Sequence, residues 1–249
     1  MGYNVIVLCA GIGERLRPYT NKTNKSLLDI NGKPLIIHFL DILYHTWEVN
    51  TTHIVIGHYG HKFRKLISHS WYASSTRFHE NQLFKITGAA QSLYTVSDVL
   101  RRGPCVVLEG DHYLDPRLMQ RLMKNKQENV VLVDEDLSRL KYDEEVIAYG
   151  YQGVVEHLQW PSPYPENPIG EALTIFKLGK DASRDLAAIL ENYLLEDGKA
   201  RREIIEPLNR LMEMHDLHYE LTGGLQWIEI DTEADLEKAR NMKFGDDAL

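Results

Sequence analysis

Two acidic side chains follow apolar segments far apart in the chain. Asp111 comes after the apolar run 106–108, and Asp231 comes after the run 227–230. Carboxylates at the ends of buried strands offer the hard oxygen ligands that Mg²⁺ prefers, with phosphate oxygens and water completing its coordination. A turn residue at Asp111 and a helix cap at Asp231 are the structural alternatives.

A glycine pair follows the first apolar run of the chain. Gly11 and Gly13 come directly after residues 5–9 and precede Arg15, and Lys25 lies one loop further on. Glycine lets the backbone approach closely and adopt positive φ, so such a loop can direct its amides at phosphates. The loop lacks the third glycine of the dinucleotide fingerprint, because Leu16 stands there, and it lacks the Gly-Lys-Ser/Thr of a Walker loop.

Composition limits the class of protein. The chain has 249 residues, of which 43% are hydrophobic and 26% are charged, with a net charge of −8. This length and apolar content favour one large α/β domain. The acidic balance disfavours nucleic acid as a partner. Cys9 and Cys105 lie in apolar runs and are expected to be buried free thiols.

Membrane and export signals are not evident. The N-terminal apolar run is short and no basic region precedes it, so it reads as a first strand rather than a signal peptide. No apolar stretch approaches the roughly 20 residues that a membrane span needs. We therefore expect a soluble, reduced, cytoplasmic protein without a membrane partner.

Strand-like and helix-like runs alternate along the chain. Apolar runs rich in β-branched residues predict strands at 5–9, 53–56, 77–79, 105–108, 130–133, 146–151, 154–158, 172–176 and 226–230. Helical spacing predicts helices at 34–49, 89–100, 118–123, 181–195 and 202–215, another through Phe63 and Ile67, and a closing one after Asp231.

This alternation predicts an α/β fold, a Rossmann-like three-layer sandwich with a mixed, mainly parallel central sheet. Ligands bind at the carboxyl ends of strands in such sheets. We interpret residues 1–249 as a single domain. About 1–140 form a nucleotide-binding half, about 141–225 an acceptor-binding half, and 226–249 the closing strand and helix.

The segments after the glycine loop carry a family resemblance. They read Arg-Leu-Arg-Pro-Tyr-Thr at 15–20, Lys-Ser-Leu-Leu at 25–28 and Asn-Gly-Lys-Pro-Leu-Ile at 31–36. This pattern strongly resembles the nucleoside-diphosphate-sugar pyrophosphorylases (NTP transferases) and their cytidylyltransferase relatives. One departure is Asn24, where the family usually has proline before the lysine. The resemblance implies an enzyme that transfers a nucleoside monophosphate and releases pyrophosphate.

The resemblance also implies roles for particular residues. Arg15 and Lys25 would contact the triphosphate, and Asp111 and Asp231 would bind Mg²⁺, so these four are the candidate catalytic residues. Fixed cations near the reacting phosphate favour its transition state. The implied nucleotide-binding residues are Leu8, Ala10, Gly11, Gly13, Arg15, Lys25, Asn81, Thr87, Gly88, Ala89 and Ser92.

The acceptor side is less clearly specified. The segment 87–93 looks most like cytidylyltransferases that act on phosphonates, phosphocholine or phosphoglutamine, which implies CTP and a small phosphorylated or phosphonylated acceptor. Glu171 matches a glutamate that lies near the acceptor in the family. Trp160 and Tyr164 could pack an amine of the acceptor by cation–π contact, although both could equally be loop anchors. The family's acceptor-side lysine is missing from 155–160.

Other functions stay open from the sequence. One is a sugar-1-phosphate nucleotidyltransferase that uses UTP, dTTP or GTP. Another is a catalytically silent nucleotide-binding module that regulates a partner. A homodimer is also open, and the sequence does not decide the acceptor, the pathway or the oligomeric state.

Overall fold

The computed structural model describes residues 2–45, 49–139, 145–160, 168–196 and 203–245. Its strands are β1 Tyr3–Cys9, β2 Asp29–Ile30, β3 Lys33–Pro34, β4 Val49–Ile56, β5 Thr76–Glu80, β6 Cys105–Glu109, β7 His112–Leu114, β8 Val130–Asp134, β9 Ile147–Tyr151, β10 Val154–Gln159, β11 Pro168–Leu178, β12 Leu217–Leu221 and β13 Trp227–Glu229. Its α-helices are α1 Leu35–Tyr44, α2 Gly60–Ile67, α3 Ala89–Tyr94, α4 Ser97–Arg102, α5 Pro116–Lys124, α6 Lys180–Leu195, α7 Ile205–Met212 and α8 Glu233–Asn241.

The central sheet has the strand order β5-β4-β1-β6-β11-β8-β12-β10-β9. Strands β5, β4, β1 and β6 pair in parallel, β11 is antiparallel to both β6 and β8, and β12 is parallel to β8. Among the described strands of this sheet, only β10 and β11 therefore run against the common direction. The sequence prediction of a mixed, mainly parallel sheet is confirmed.

Helices cover both faces of the sheet, which confirms the three-layer arrangement. One core holds the apolar faces of α1, α2, α5 and α8, with Phe39 and Phe63 among its largest side chains. The other core lies beneath α3, α4, α6 and α7 and includes Phe176. The central parallel strands β1, β6 and β8 are buried almost throughout and read as continuous apolar runs, as in Val5–Cys9 of β1. None of the described helices could cross a membrane, by length and apolar content.

Parallel pairing brings four loops, those after β1, β4, β5 and β6, to the carboxyl edge of the sheet. In the β1–β6 register Leu8 lies beside Glu109, so the glycine loop and Gly110-Asp111 leave the sheet side by side. Strand β4 ends next to β1 at Ile56, and the loop after β5 begins at Asn81. The β13–β7 pair then places Glu229 opposite His112, beside the same edge.

Two predictions about elements are wrong in detail. The helix expected at 89–100 is divided into α3 and α4, because two β-branched residues, Thr95 and Val96, stand at the break and the Thr95 hydroxyl bonds back to the Gln91 carbonyl. Strand β12 was missed, although Leu217, Tyr219 and Leu221 alternate with His218 and Glu220; the run is short, and only Leu217 of its five residues is buried.

Strands β9, β10 and β11, from the part of the sequence expected to bind the acceptor, belong to the same sheet. The predicted β-pair is present as the antiparallel hairpin β9–β10, and β11 crosses back between β6 and β8. Pro168 begins β11, a position where proline costs no ladder hydrogen bond. Gly170 is required here, because a Cβ atom would lie 2.1 Å from the carbonyl oxygen of Asp134.

Candidate active site

A lysine lies between the two predicted metal ligands. The Lys25 ammonium is 2.7 Å from a carboxylate oxygen of Asp111 and 2.7 Å from one of Asp231. Lys25 opens a short 3₁₀ turn after the glycine loop, while the two aspartates, 120 residues apart in the sequence, follow β6 and β13. The fold therefore brings together the three residues that the sequence singled out for charge stabilisation and metal binding.

The predicted loop arginine joins this cluster from the solvent side. Arg15 Nη2 donates to Asp231 Oδ2 at 2.6 Å, and half of its side chain is exposed. Asp231 therefore accepts from two cations, one buried and one at the surface. The four candidate catalytic residues form one connected charge centre.

Attraction between Lys25 and the aspartates keeps these side chains ionised. Burial alone would lower the pKa of Lys25, but Asp111 and Asp231 raise it above its usual range. Burial would likewise raise the pKa of Asp111, but Lys25 and His112 hold it below its usual range. Lys25 is therefore a cation, and Asp111 an anion, throughout the neutral pH range.

The donor set suits a divalent metal ion. Carboxylate oxygens of Glu109, Asp111 and Glu229 lie within 4.8 Å of one another. Asp111 Oδ1 is buried and accepts no hydrogen bond within the described part of the chain, although His112 Nδ1 is 3.3 Å away. The Lys25 ammonium already holds a cation's place between Asp111 and Asp231. Hard oxygen donors around a cation position are what Mg²⁺ requires.

Two of these carboxylates were not singled out from the sequence. Glu109 and Glu229 each precede a predicted ligand by two residues, so alternation along an extended segment places each pair on one side. That spacing was the available signal. Burial and the neighbouring Asp111 raise the pKa of Glu109 well above its usual range, and they raise that of Glu229 to about 7.

Glycines shape the backbone beside the charge centre, where phosphates are expected to bind. Gly13 adopts φ 67°, and a Cβ there would lie 3.0 Å from Thr20 Cγ2, whereas nothing lies within 4 Å of a Cβ at Gly11. The backbone at Gly11 is therefore open to a ligand. Gly110 is closely packed, since a Cβ would meet Cys9 Sγ at 2.4 Å. The predicted residues Leu8 and Ala10 are buried where β1 ends and the loop starts.

Asn24, which departs from the family pattern, ties this loop together. Its Nδ2 donates to the carbonyls of Cys9 at 3.0 Å, Gly11 at 3.1 Å and His58 at 3.1 Å, and its Oδ1 accepts from the Ser26 amide at 2.9 Å. The side chain is buried. It thus links the glycine loop, the loop after β4 and the turn that carries Lys25.

We expect Asn24→Ala to raise the KM for the nucleotide about tenfold and to lower the Tm by a few degrees. A buried carbonyl left without a donor lowers the free energy of unfolding by about 1–3 kcal/mol. The glycine loop would also be less ordered, so its amides would be directed less well at the phosphates. Steady-state kinetics and thermal unfolding measure both effects. The matched control is Asn50→Ala, which removes an exposed amide that contacts Gly2. Wild-type values for both quantities in Asn24→Ala would contradict this role.

The predicted base-binding residues form a separate cluster. Asn81 Nδ2 lies 3.1 Å from Ser92 Oγ and 3.3 Å from Thr87 Oγ1, and its Oδ1 accepts from the Leu83 amide. Asn81 and Ser92 are buried, so their polar groups hold the loop 81–88 in shape. Gly88 and Ala89 begin α3 next to this loop. Contact of these residues with a nucleotide stays a prediction.

A cavity of about 440 Å³ opens on the other side of Asp231. It is lined by Glu145, Glu171, Gln226, Trp227, Ile228, Glu229, Asp231, Asp235, Lys238 and Met242. A smaller cavity shares Glu145, Glu171 and Glu229 and is also lined by Trp160. Glu171 lines both cavities and Trp160 lines the smaller one, while Tyr164 falls outside the described residues; their contact with an acceptor stays a prediction.

Trp227 is an aromatic residue that lines this cavity and was not singled out from the sequence. Its indole nitrogen donates to the buried Asp134 at 2.6 Å, and its ring stacks on His112 with centroids 5.8 Å apart. Burial lowers the pKa of His112, but the nearby Asp111 carboxylate outweighs that and raises it to about 9. Trp227 is thus held in one orientation, and only its place before Asp231 marked it in the sequence.

The family comparison agrees with this geometry. The sequence profile of the nucleotidyl transferase family matches residues 4–160. The bifunctional protein GlmU of Methanococcus maripaludis is 27% identical over 248 residues, covering 96% of this chain and 54% of that protein. The chain thus spans about half the length of this curated relative.

Shorter matches point to different acceptors. The 2-aminoethylphosphonate cytidylyltransferase of Lancefieldella rimae is 29% identical over 120 residues, covering 46% of this chain and 47% of that protein. The UTP–glucose-1-phosphate uridylyltransferase AglF of Haloferax volcanii is 25% identical over 173 residues, covering 65% and 67%.

A solved structure shares the whole fold. The CTP:phosphocholine cytidylyltransferase LicC from Streptococcus pneumoniae superposes with a TM-score of 0.77 at 21% identity, covering 97% of this chain and 99% of that one. The family profile covers more than half of the chain and includes the glycine loop, Lys25 and Asp111. The chain belongs to the nucleotidyl transferase family.

Proposed function

We propose that the protein transfers CMP from CTP to a small phosphorylated or phosphonylated acceptor and releases pyrophosphate. The observation that carries this proposal is the charge centre of Arg15, Lys25, Asp111 and Asp231 beside the open glycine loop. The acceptor's anionic oxygen attacks the α-phosphorus, and the bond to pyrophosphate breaks. Because that oxygen is already ionised at neutral pH, the reaction needs alignment and charge neutralisation rather than a general base.

The chain's residues divide this task. Arg15 and Lys25 neutralise the phosphate oxygens on which charge develops, and the amides of the glycine loop bind the triphosphate. Asp111 and Asp231 would hold Mg²⁺, which supplies charge stabilisation to the phosphates when bound. The hydrogen bonds of Asn24 hold the glycine loop and the turn that carries Lys25 in place relative to each other.

The cavity next to Asp231 supports an acceptor that carries an ammonium group. Its described lining includes the carboxylates of Glu145, Glu171 and Glu229, and the ring of Trp227. Carboxylates and an aromatic face attract a cationic amine through charge and cation–π contact. A neutral sugar hydroxyl offers no charge to pair with these carboxyl groups as they ionise.

A panel of substrates tests the proposal. We expect kcat/KM with CTP to be larger for 2-aminoethylphosphonate or phosphocholine than for a hydroxyalkylphosphonate, and smallest for glucose 1-phosphate. Each acceptor is measured with CTP and UTP by pyrophosphate release. If glucose 1-phosphate with UTP or dTTP gives the largest kcat/KM by a wide margin, the CTP and amine assignments both fail.

Glu171 makes the amine assignment dependent on pH. Burial, with Glu145 and Glu229 nearby, raises the pKa of Glu171 to about 8. Its carboxylate is therefore mostly protonated at pH 7 and becomes charged as the pH rises through 8. We expect the KM for phosphocholine, whose ammonium does not titrate, to fall between pH 7 and pH 9. Glu171→Gln should raise this KM and remove that part of the pH dependence.

The control for Glu171 is an exposed glutamate on another strand of the same sheet. Glu156 on β10 is exposed and does not line the cavity, so Glu156→Gln should keep the wild-type KM at each pH. An identical pH profile in wild type and Glu171→Gln would show that Glu171 does not contact the acceptor's cation.

One rival function has a specific observation in its favour. The uridylyltransferase AglF aligns with a larger share of this chain than the phosphonate enzyme does. A sugar-1-phosphate nucleotidyltransferase would use the same charge centre with another acceptor, and the substrate panel separates the two. The intact cluster of Arg15, Lys25, Asp111 and Asp231 argues against a silent regulatory module.

A further inference from the structure

One basic side chain reaches the acceptor cavity. Lys238 on α8 lines the 440 Å³ cavity together with Glu171 and Asp231. Asp235, three residues before Lys238, and Met242, four residues after it, line the same cavity. One side of α8 and its C-terminal end therefore face this cavity. Sequence analysis did not single out Lys238, because a lysine on a surface helix is common and nothing in the sequence indicates that it lines a cavity.

The helix that carries Lys238 is firmly placed. The Thr232 hydroxyl and the Asp235 carboxylate form a reciprocal capping box at its start. Leu236 and Ala239 are buried in the core on the inner side. The position of Lys238 beside the cavity is therefore fixed by the backbone, while its long side chain is exposed and can extend toward a ligand.

The charge around Lys238 is unusual. Among the described residues that line this cavity, Lys238 is the one lysine or arginine, and five others are carboxylic acids: Glu145, Glu171, Glu229, Asp231 and Asp235. Within the described part of the chain it forms no ion pair, whereas Lys25 and Arg15 are already bound to Asp111 and Asp231. Lys238 thus remains available to an anion.

Within the described residues, the other lysines and arginines do not line this cavity. Strand β10, where a lysine is expected from the family resemblance, carries none between residues 154 and 160. Lys177 on β11 is buried and donates to the Asn125 carbonyl at 2.6 Å, so it is turned away from the cavity.

We infer that Lys238 binds the phosphate or phosphonate group of the acceptor. This inference rests on the proposed function, and it makes Lys238 a specificity-determining residue. Because Asp231 lines the cavity and also binds Lys25 and Arg15, an anion held at Lys238 lies beside the reacting phosphates. The acceptor's ammonium group then faces Glu145 and Glu171. The cavity is thus polarised for a zwitterionic acceptor.

A binding experiment tests this without depending on turnover. Calorimetry measures the affinity of the full chain for 2-aminoethylphosphonate, phosphocholine and glucose 1-phosphate, with Mg²⁺ and a non-hydrolysable CTP analogue present. We expect Lys238→Ala to weaken binding of the preferred acceptor at least about tenfold, which corresponds to about 1.4 kcal/mol. Lys238→Arg should keep most of the affinity. Binding of the CTP analogue alone should be unchanged in both variants.

The matched control is Lys243→Ala, which removes an exposed lysine that does not line the cavity. Equal acceptor affinity in wild type and Lys238→Ala would overturn the inference, and so would the absence of acceptor binding to the wild type. A wild type that binds acceptor through Lys238 but releases no pyrophosphate from CTP, UTP or dTTP would instead contradict the proposed function. The two failures are therefore distinguishable.

Discussion

Asp111→Asn is expected to lower kcat by at least about a hundredfold while the protein stays folded. A bound metal ion contributes several kcal/mol to stabilising the charge of the transition state, and each 1.36 kcal/mol is about a tenfold change in rate. The amide keeps an oxygen that can accept from Lys25, so the local structure should survive. Pyrophosphate release, measured over a range of Mg²⁺ concentrations, should show a higher Mg²⁺ requirement in the variant.

Two further variants sharpen this result. Asp231→Asn should produce a loss of the same kind, since Asp231 faces Asp111 across the Lys25 ammonium. Asp98→Asn changes an exposed aspartate on α4 and should leave kcat unaltered. Full activity of Asp111→Asn at ordinary Mg²⁺ concentrations would refute the assignment of Asp111 to the metal.

Lys25→Met is expected to lower kcat at least about tenfold and also to destabilise the metal-free protein. The loss in rate follows from removing one charge-assisted contact of about 1.5–3 kcal/mol in the transition state. The loss in stability follows because Asp111 and Asp231 would then face one another without the ammonium that lies between them. Removing one partner of a buried pair costs about 3–5 kcal/mol, and a chain of this length loses roughly 2–4 °C in Tm per kcal/mol.

The change in Tm on adding Mg²⁺ is the measurement that decides the prediction for Lys25. If Mg²⁺ binds between the same carboxylates, adding it should raise the Tm of Lys25→Met by more than it raises that of the wild type. Lys33→Met is the matched control, because Lys33 pairs with Asp41 at a more exposed place away from the site. A variant whose Tm does not respond to Mg²⁺ would show that the two aspartates do not share an ion.

Local sequence patterns predicted the parts of the site that depend on strands and their ends. The apolar runs at 5–9 and 105–108 form neighbouring parallel strands, and this pairing places the glycine loop beside Asp111. The resemblance connected Asp231 to the same place, although 120 residues separate it from Asp111. The charge centre with Arg15 and Lys25 follows from these elements.

Other features depend on packing between distant segments and gave little signal. Asn24 was noted only as a departure, because the three carbonyls that it binds come from separate loops. Trp227 is oriented by Asp134 across strands, and Lys238 is delivered by a surface helix. Strand β12 alternates apolar and polar residues over only five positions, and it lies in the sheet through its pairing with β8.

The most direct test is the stoichiometry of the reaction. The wild-type chain is incubated with CTP, Mg²⁺ and 2-aminoethylphosphonate or phosphocholine, and the products are identified by mass spectrometry. The account predicts a CMP adduct of the acceptor and an equal amount of pyrophosphate, both lost when EDTA is added. Failure of CTP, UTP, dTTP and GTP to yield pyrophosphate with any of the tested acceptors, glucose 1-phosphate included, would contradict it.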